Sequence, residues 1–384
     1  MMQAPLRGIH FESGKGVEIH IENGTISKLV DIPSEGLSHR IAPGLVDLQV
    51  NGYKGIDFNS GDITKEEVAK VVQCLWEVGV TTFYPTLITN SDDTISRAIE
   101  TIVAACEEDK LVNDSIGGIH LEGPFLSAEE GPRGAHPLEH IKNPDWELFK
   151  AWQECAKGRI KLMTLAPERE GAYDFIKKCT ASGVLVSLGH TAATPEQIKN
   201  AVVAGARMST HLGNAAHLNL PRHPNYIWEQ LASDDLWISL IADGFHLPES
   251  VLKVFMKVKP GKSVLVSDCT QFAGLPPGTY TSHIGGAIEL GKEGRLFMKK
   301  SPSLLAGSAQ SLVHCVDHLV NSDLVPLSVA WRMASIKPME VMNIEGYGIS
   351  ENGKVDLVVF ERRSNKIQIV QTIKSGKVVY PSSS

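Results

Sequence analysis

The chain of 384 residues is 42% hydrophobic and 21% charged, the balance of a folded protein of enzyme size and not of a disordered or fibrous one. Its formal net charge of −7 argues against bulk binding of nucleic acid or anionic membrane and leaves room only for a local basic pocket. The opening MMQAPLRGIH lacks the apolar run of a signal peptide, no segment reaches the roughly 18 uninterrupted apolar residues of a membrane span, and six scattered cysteines form no C-x-x-C pair, so a cytoplasmic protein with reduced thiols is expected.

Near the N-terminus, GVEIHIENGTISKLV reads as two strands around an Asn-Gly turn. After it, short runs rich in Val, Ile and Thr alternate with helix-like segments. The runs are IAPGLVDLQVNG, TTFYPTLIT, SIGGIHLEG, IKLMTLAPE, GVLVSLGHT, RMSTHLGN, LWISLIADGFH and SVLVSDCT. Between them, TKEEVAKVVQCLWEVGV and TPEQIKNAVVAGA place apolar residues at helical spacing, the second with Thr194 as N-cap and Pro195 in the first turn. Eight strands alternating with helices predict an α/β fold, a TIM-like (β/α)8 barrel over residues 45–349. The C-terminal GKVDLVVFERRSNKIQIVQTIKSGKVVY reads as two or three further strands. Neither end closes a core alone, so residues 1–44 and 350–384 are expected to pair into one small β-sandwich domain.

Active sites of such barrels lie at the C-terminal ends of the strands, which makes each strand's last polar residue informative. In GGIHLEGPFL, alternation sends His120 and Glu122 to the same side, and Gly123-Pro124 ends the strand at Glu122. The other strands end at Asp47 to Asn51, at His190, at His211 and Asn214, at Asp243 and His246, and at Asp268. Glu122, His190 and His211 make a set of one carboxylate and two imidazoles with an open position, the arrangement a divalent ion needs to hold a reactive water. His120, one layer deeper, reads as a hydrogen-bonded core residue. Asp268 is the remaining carboxylate, placed to act as general base and then to return the proton to a leaving amine.

APGLVDLQVNG, HLEGPF, GHTAAT, THLGNA, IADGFH, VSDCTQFAGLPPG and LAGSA, in this order, resemble the signature set of the N-acetylglucosamine-6-phosphate deacetylases of the amidohydrolase superfamily. The resemblance covers nearly the whole chain and implies hydrolysis of the acetamide of N-acetylglucosamine 6-phosphate to acetate and glucosamine 6-phosphate. It implies Glu122, His190 and His211 as metal ligands and Asp268 as base and acid. Ala135 and His136 of GPRGAHP would meet the substrate, His136 by polarising the acetyl carbonyl. His246 would bind the sugar, Asn214 and Ala215 would lie near the phosphate, and Ala306 and Gly307 would line the sugar pocket. It also implies a homodimer in which Arg222 reaches the phosphate in the neighbouring subunit's site.

Two departures stand out. Many amidohydrolases carry H-x-H at the end of the first strand for a second metal, where this chain has Gln49-Val50-Asn51. Amides replace imidazole poorly as ligands, so one divalent ion per chain is expected, with zinc first and iron, cobalt or manganese able to accept the same donors. After Asn214-Ala215 the chain reads AHLNLPRHPNYIW where the family has Met and a short run to Arg-x-Pro-Gly. Arg222 stands at the right distance among different neighbours, which keeps open a deacetylase of another N-acetylated sugar or sugar phosphate, N-acetylgalactosamine 6-phosphate among them. A cyclic-amide hydrolase would want the H-x-H pair and a lysine at the end of the fourth strand, and KLMTLAPE has none. A catalytically silent binding module would have lost a ligand or the base, and none is missing.

Overall fold

The computed structural model describes residues 5–282 and 286–381. The eight expected barrel strands form as Leu45–Val50, Val80–Ile88, Ile119–Glu122, Ile160–Leu165, Leu185–Leu188, Met208–Ser209, Trp237–Leu240 and Ser263–Leu265. They pair in chain order, all parallel. A parallel bridge between Val50 and Cys269, with the Asn51 N–H donating to the Cys269 carbonyl at 2.9 Å, brings the last strand's extension back to the first. Among the helices, Lys65–Glu77 starts at Thr64, whose side chain and that of Glu67 cap each other's backbone N–H. Thr194 and Gln197 do the same for Pro195–Ala204.

The barrel interior is layered. Val46, Leu48, Tyr84, Leu162, Met208, Val264 and Val266 form an apolar plug. Near it lies a knot of side chains in which the Thr164 hydroxyl meets those of Thr210 at 2.8 Å and the His120 Nε2 at 2.8 Å, while Thr210 meets Ser187 at 2.6 Å. His120 therefore takes its expected core place, its Nδ1–H donating to the Leu48 carbonyl at 3.1 Å. Burial pulls its pKa down to about 4, so the ring is neutral.

The two ends of the chain meet in one seven-stranded sheet, in the order Lys377–Tyr380, Lys366–Lys374, Leu357–Arg363, Arg40–Pro43, Leu6–His10, Gly16–Glu22 and Thr25–Ile32. Asn23 and Gly24, at φ 51° and 78°, make the expected tight turn. Lys374 ties this sheet to the barrel: its buried ammonium sits 2.7 Å from Asp356 and donates to the Thr82 hydroxyl at 3.1 Å. A four-stranded antiparallel sheet, Gly278–Ser282, Gly286–Leu290, Leu296–Met298 and Ser301–Leu305, follows the last barrel strand and was not anticipated. Its strands are short, glycine-broken and half exposed, and they gain a core only by setting Ile288, Leu290 and Leu296 against Phe272. Among the described residues no helix is long and apolar enough to cross a membrane.

Candidate active site

Glu122 ends the third barrel strand, where Gly123 turns the chain at φ +90°, a conformation that side chains beyond Cα resist. His190 and His211 follow the fifth and sixth strands with φ of 50° and 28°, left-handed values that a non-glycine residue keeps only when its surroundings hold it. Their Nε2 atoms lie 3.2 and 3.1 Å from Glu122 Oε1 and 3.2 Å from each other. All three side chains are buried.

These three atoms form a triangle that protons alone satisfy poorly. His190 Nδ1–H donates to the Pro132 carbonyl at 2.9 Å, so in the neutral ring Nε2 is a bare lone pair, yet it faces a carboxylate and a second imidazole nitrogen. A cation among them satisfies all three donors at once. Ligands about 2.0–2.1 Å from a tetrahedral ion lie about 3.3 Å apart, close to the spacing here. Burial by itself raises the Glu122 carboxyl, but the two imidazoles bonded to it hold it well below the usual carboxylate range, and it is ionised. Burial lowers His211, while the bond to Glu122 and its charge outweigh that and raise it.

The strand-one amides are not idle substitutes for histidine. Gln49 Nε2 donates to both Glu122 oxygens, at 3.0 and 3.1 Å, and Asn51 Nδ2 donates to Asp268 Oδ1 at 2.7 Å. Sequence reasoning had treated Gln49 and Asn51 only as missing ligands. Amides at the same strand-end positions as metal-binding histidines were the available sign that they still face the centre. Asp268 itself, at φ 49°, is pushed up to about 6, chiefly by burial and with Glu122's charge adding to it, against the pull of His211, His246 and the Asn51 bond. A cation nearby acts in the opposite direction and favours its ionised form.

His136 lies buried beside the cluster, its ring T-shaped on His190 with centroids 4.3 Å apart and its Nδ1 2.8 Å from the Thr89 hydroxyl. It also brings a nitrogen into the donor group: ligand atoms of Glu122, His136 and His190 all lie within 4.8 Å of one another. Burial, with His190 adding to it, holds the His136 ring well below its ordinary pKa, so it is neutral. His246 is aimed by Asp243, whose Oδ2 accepts its Nδ1–H at 2.7 Å and whose Oδ1 accepts the Phe245 and His246 N–H groups at 2.9 Å. Burial raises Asp243, but the His246 contacts win and lower it.

Asn214 and Ala215 line a small recess together with His190, Thr191 and Tyr226, and Asn214 Nδ2 donates to the His211 carbonyl at 3.2 Å. Ala135 is exposed one residue before His136. The Ala306-Gly307 turn runs beside the Asp268 loop, where Cys269 bridges Ser308 and a Cβ on Gly307 would meet Thr270 at 2.6 Å. Arg222 is not brought to this cluster. It is exposed on its loop, with no hydrogen bond or ion pair among the described residues.

A sequence profile of the amidohydrolase family matches residues 40–379. The chain is 32% identical to an N-acetylglucosamine-6-phosphate deacetylase of Caenorhabditis elegans over 91% of its own length and 84% of that protein's. It is 31% identical to the enzyme of that name from Bacillus subtilis, over 93% and 88%. The crystal structure of N-acetyl-D-glucosamine-6-phosphate deacetylase from Mycobacterium smegmatis superposes with a TM-score of 0.86 at 24% identity, covering 98% of this chain and all of that one, and shares its fold. That of the Thermotoga maritima protein gives 0.82 at 25% identity, covering 99% of each chain.

Proposed function

From a chain that belongs to the amidohydrolase family and aligns along most of its length with N-acetylglucosamine-6-phosphate deacetylases, we infer the reaction: it hydrolyses the acetamide of N-acetylglucosamine 6-phosphate to glucosamine 6-phosphate and acetate. The observation that carries this reading is the convergence of Glu122, His190 and His211, with Asp268 beside them, at the barrel mouth of such a chain.

Glu122, His190 and His211 would hold one divalent ion, zinc being the best match to two nitrogens and a carboxylate. When bound, the ion supplies an acidified water and a polarised acetyl carbonyl. Asp268, steadied by Asn51, takes a proton from the attacking water as the oxygen joins the acetyl carbon, then delivers it to the sugar nitrogen as the C–N bond breaks. The neutral His136, with the Thr89 hydroxyl on Nδ1, presents an Nε2–H to the acetyl oxygen. His246 has its Nδ1–H on Asp243, which leaves Nε2 to accept from a sugar hydroxyl. Asn214 and Ala215 face the phosphate end, and Ala135, Ala306 and Gly307 line the sugar.

The phosphate needs a cation, and Arg222 is the arginine of the unusual loop. We place it in the site of a second copy, in a homodimer. Its exposure supports this, as do Leu218 and Trp228 on either side in the chain, 91% and 52% exposed, large apolar side chains of the kind a subunit contact covers. The six cysteines, all free, fit a cytoplasmic setting.

Acetate release from a panel of N-acetylglucosamine, N-acetylgalactosamine and their 6-phosphates tests the reading. Turnover highest on N-acetylglucosamine 6-phosphate is the expected result. A preference for another sugar, or none for any member, overturns it.

A further inference from the structure

Glu168 has no part in the chemistry described so far, yet it sits at the mouth, three residues beyond the end of the fourth barrel strand. Its Oε2 accepts the Thr191 hydroxyl at 2.5 Å and its Oε1 accepts the Ala192 N–H at 2.7 Å. Thr191, 4% exposed, is the residue after His190, and its hydroxyl oxygen in turn accepts the Ala193 N–H at 3.0 Å. One carboxylate thus organises the three residues that follow His190.

His190 needs such support. At φ 50° its backbone is in a region that costs a β-carbon residue about 1–2 kcal/mol, and it returns to an extended conformation unless held. From one side the loop after the third strand holds it: Ser127 N–H donates to its carbonyl at 2.9 Å, and the Pro132 carbonyl takes its Nδ1–H at 2.9 Å. On the other side, beyond His190, the hold comes from Glu168. We propose that Glu168 is a positioning residue for the metal centre: its carboxylate pins the left-handed turn that keeps His190 Nε2 within 3.2 Å of Glu122 and His211. Hydrogen bonds from a hydroxyl and an amide to a carboxylate are of the strong, charge-assisted kind, and groups that orient metal-binding histidines commonly govern affinity by about 10–100-fold, the scale expected for a hold one residue further along the backbone.

This inference rests on the reading of Glu122, His190 and His211 as the ion's ligands, and the test separates the two. Zinc affinity is measured by competition with a chromophoric chelator for the wild type, His190→Ala, Glu168→Ala, Glu168→Gln and Thr191→Val, with thermal unfolding of each zinc-free protein alongside. His190→Ala must abolish tight binding; if it does not, the ligand reading itself fails. Given that loss, Glu168→Ala is expected to weaken zinc by about 10–100-fold. Glu168→Gln, which keeps an oxygen for Ala192 and turns an N–H toward the Thr191 oxygen, should stay within about three-fold of wild type. Thr191→Val, which removes one of the two bonds to Glu168 together with the Thr191–Ala193 bond and keeps the side-chain shape, should fall between them, and it carries the test if Glu168→Ala does not fold. A merely structural role predicts a lower unfolding temperature with unchanged zinc affinity. Affinity within two-fold of wild type in Glu168→Ala or, if that protein does not fold, in Thr191→Val overturns the proposal. So does an equal loss in Glu168→Ala and Glu168→Gln, which would assign the effect to charge and not to the hold on the turn.

Discussion

Replacing Asp268 with Asn separates proton transfer from every other role of that side chain. The Asp268 carboxylate accepts Asn51 Nδ2 at 2.7 Å, and an asparagine carbonyl at the same place keeps that bond and nearly the same volume. Burial, with the charge of Glu122 adding to it, disfavours the ionised Asp268, so removing its charge relieves folding and does not burden it. What disappears, on the proposed mechanism, is the group that takes the proton from water and returns it to the amine. Loss of a general acid/base lowers kcat by about 10²–10⁴-fold, which is about 2.7–5.4 kcal/mol on the barrier. The expected protein therefore unfolds at the wild-type temperature or above it, binds zinc in full, and releases acetate at least about 100-fold more slowly at saturating substrate. Coupled measurement of acetate with metal analysis decides the matter. Turnover within about three-fold of wild type removes Asp268 from the mechanism, and activity lost in proportion to lost zinc makes it a ligand instead.

Metal analysis of the purified protein should return close to one divalent ion per chain, since Gln49 and Asn51 spend their amides on Glu122 and Asp268, and Glu122→Ala should largely empty the site; a reproducible value near two refutes that account of the first strand. Arg222→Ala should lower kcat/KM for the 6-phosphate by about 2–4 kcal/mol and leave the unphosphorylated sugar nearly unchanged. Mixed with Asp268→Asn chains it should recover activity if the arginine serves the neighbouring subunit, and no recovery despite proven subunit exchange places it elsewhere. Lys374→Met should destabilise the fold by about 3–5 kcal/mol in denaturant unfolding, because Asp356 keeps a buried charge without its partner; a loss below about 1 kcal/mol shows that Asp356 is solvated in the variant.

The order of strands and helices was legible from the chain alone because most strands are short apolar runs rich in β-branched residues and helices such as Lys65–Glu77 and Pro195–Ala204 carry their own period and cap, signals that act over a few residues. The barrel follows from that alternation, and with it the rule that strand ends face one mouth. Glu122, His190, His211 and Asp268 could thus be picked out as polar residues closing apolar strands, and His120 could be set one layer below by the two-residue period of the strand. Distances between strands are not written in any local pattern. That Gln49 grips both oxygens of Glu122, that Asn51 steadies Asp268, and that Glu168 reaches across to the turn after His190 depend on partners 73, 217 and 23 or 24 residues away, which the closed barrel alone brings together. The small antiparallel sheet over residues 278–305 escaped for a related reason. Its short strands hold little apolar surface of their own, and only packing on Phe272, which the last barrel strand's loop delivers, makes them worth ordering.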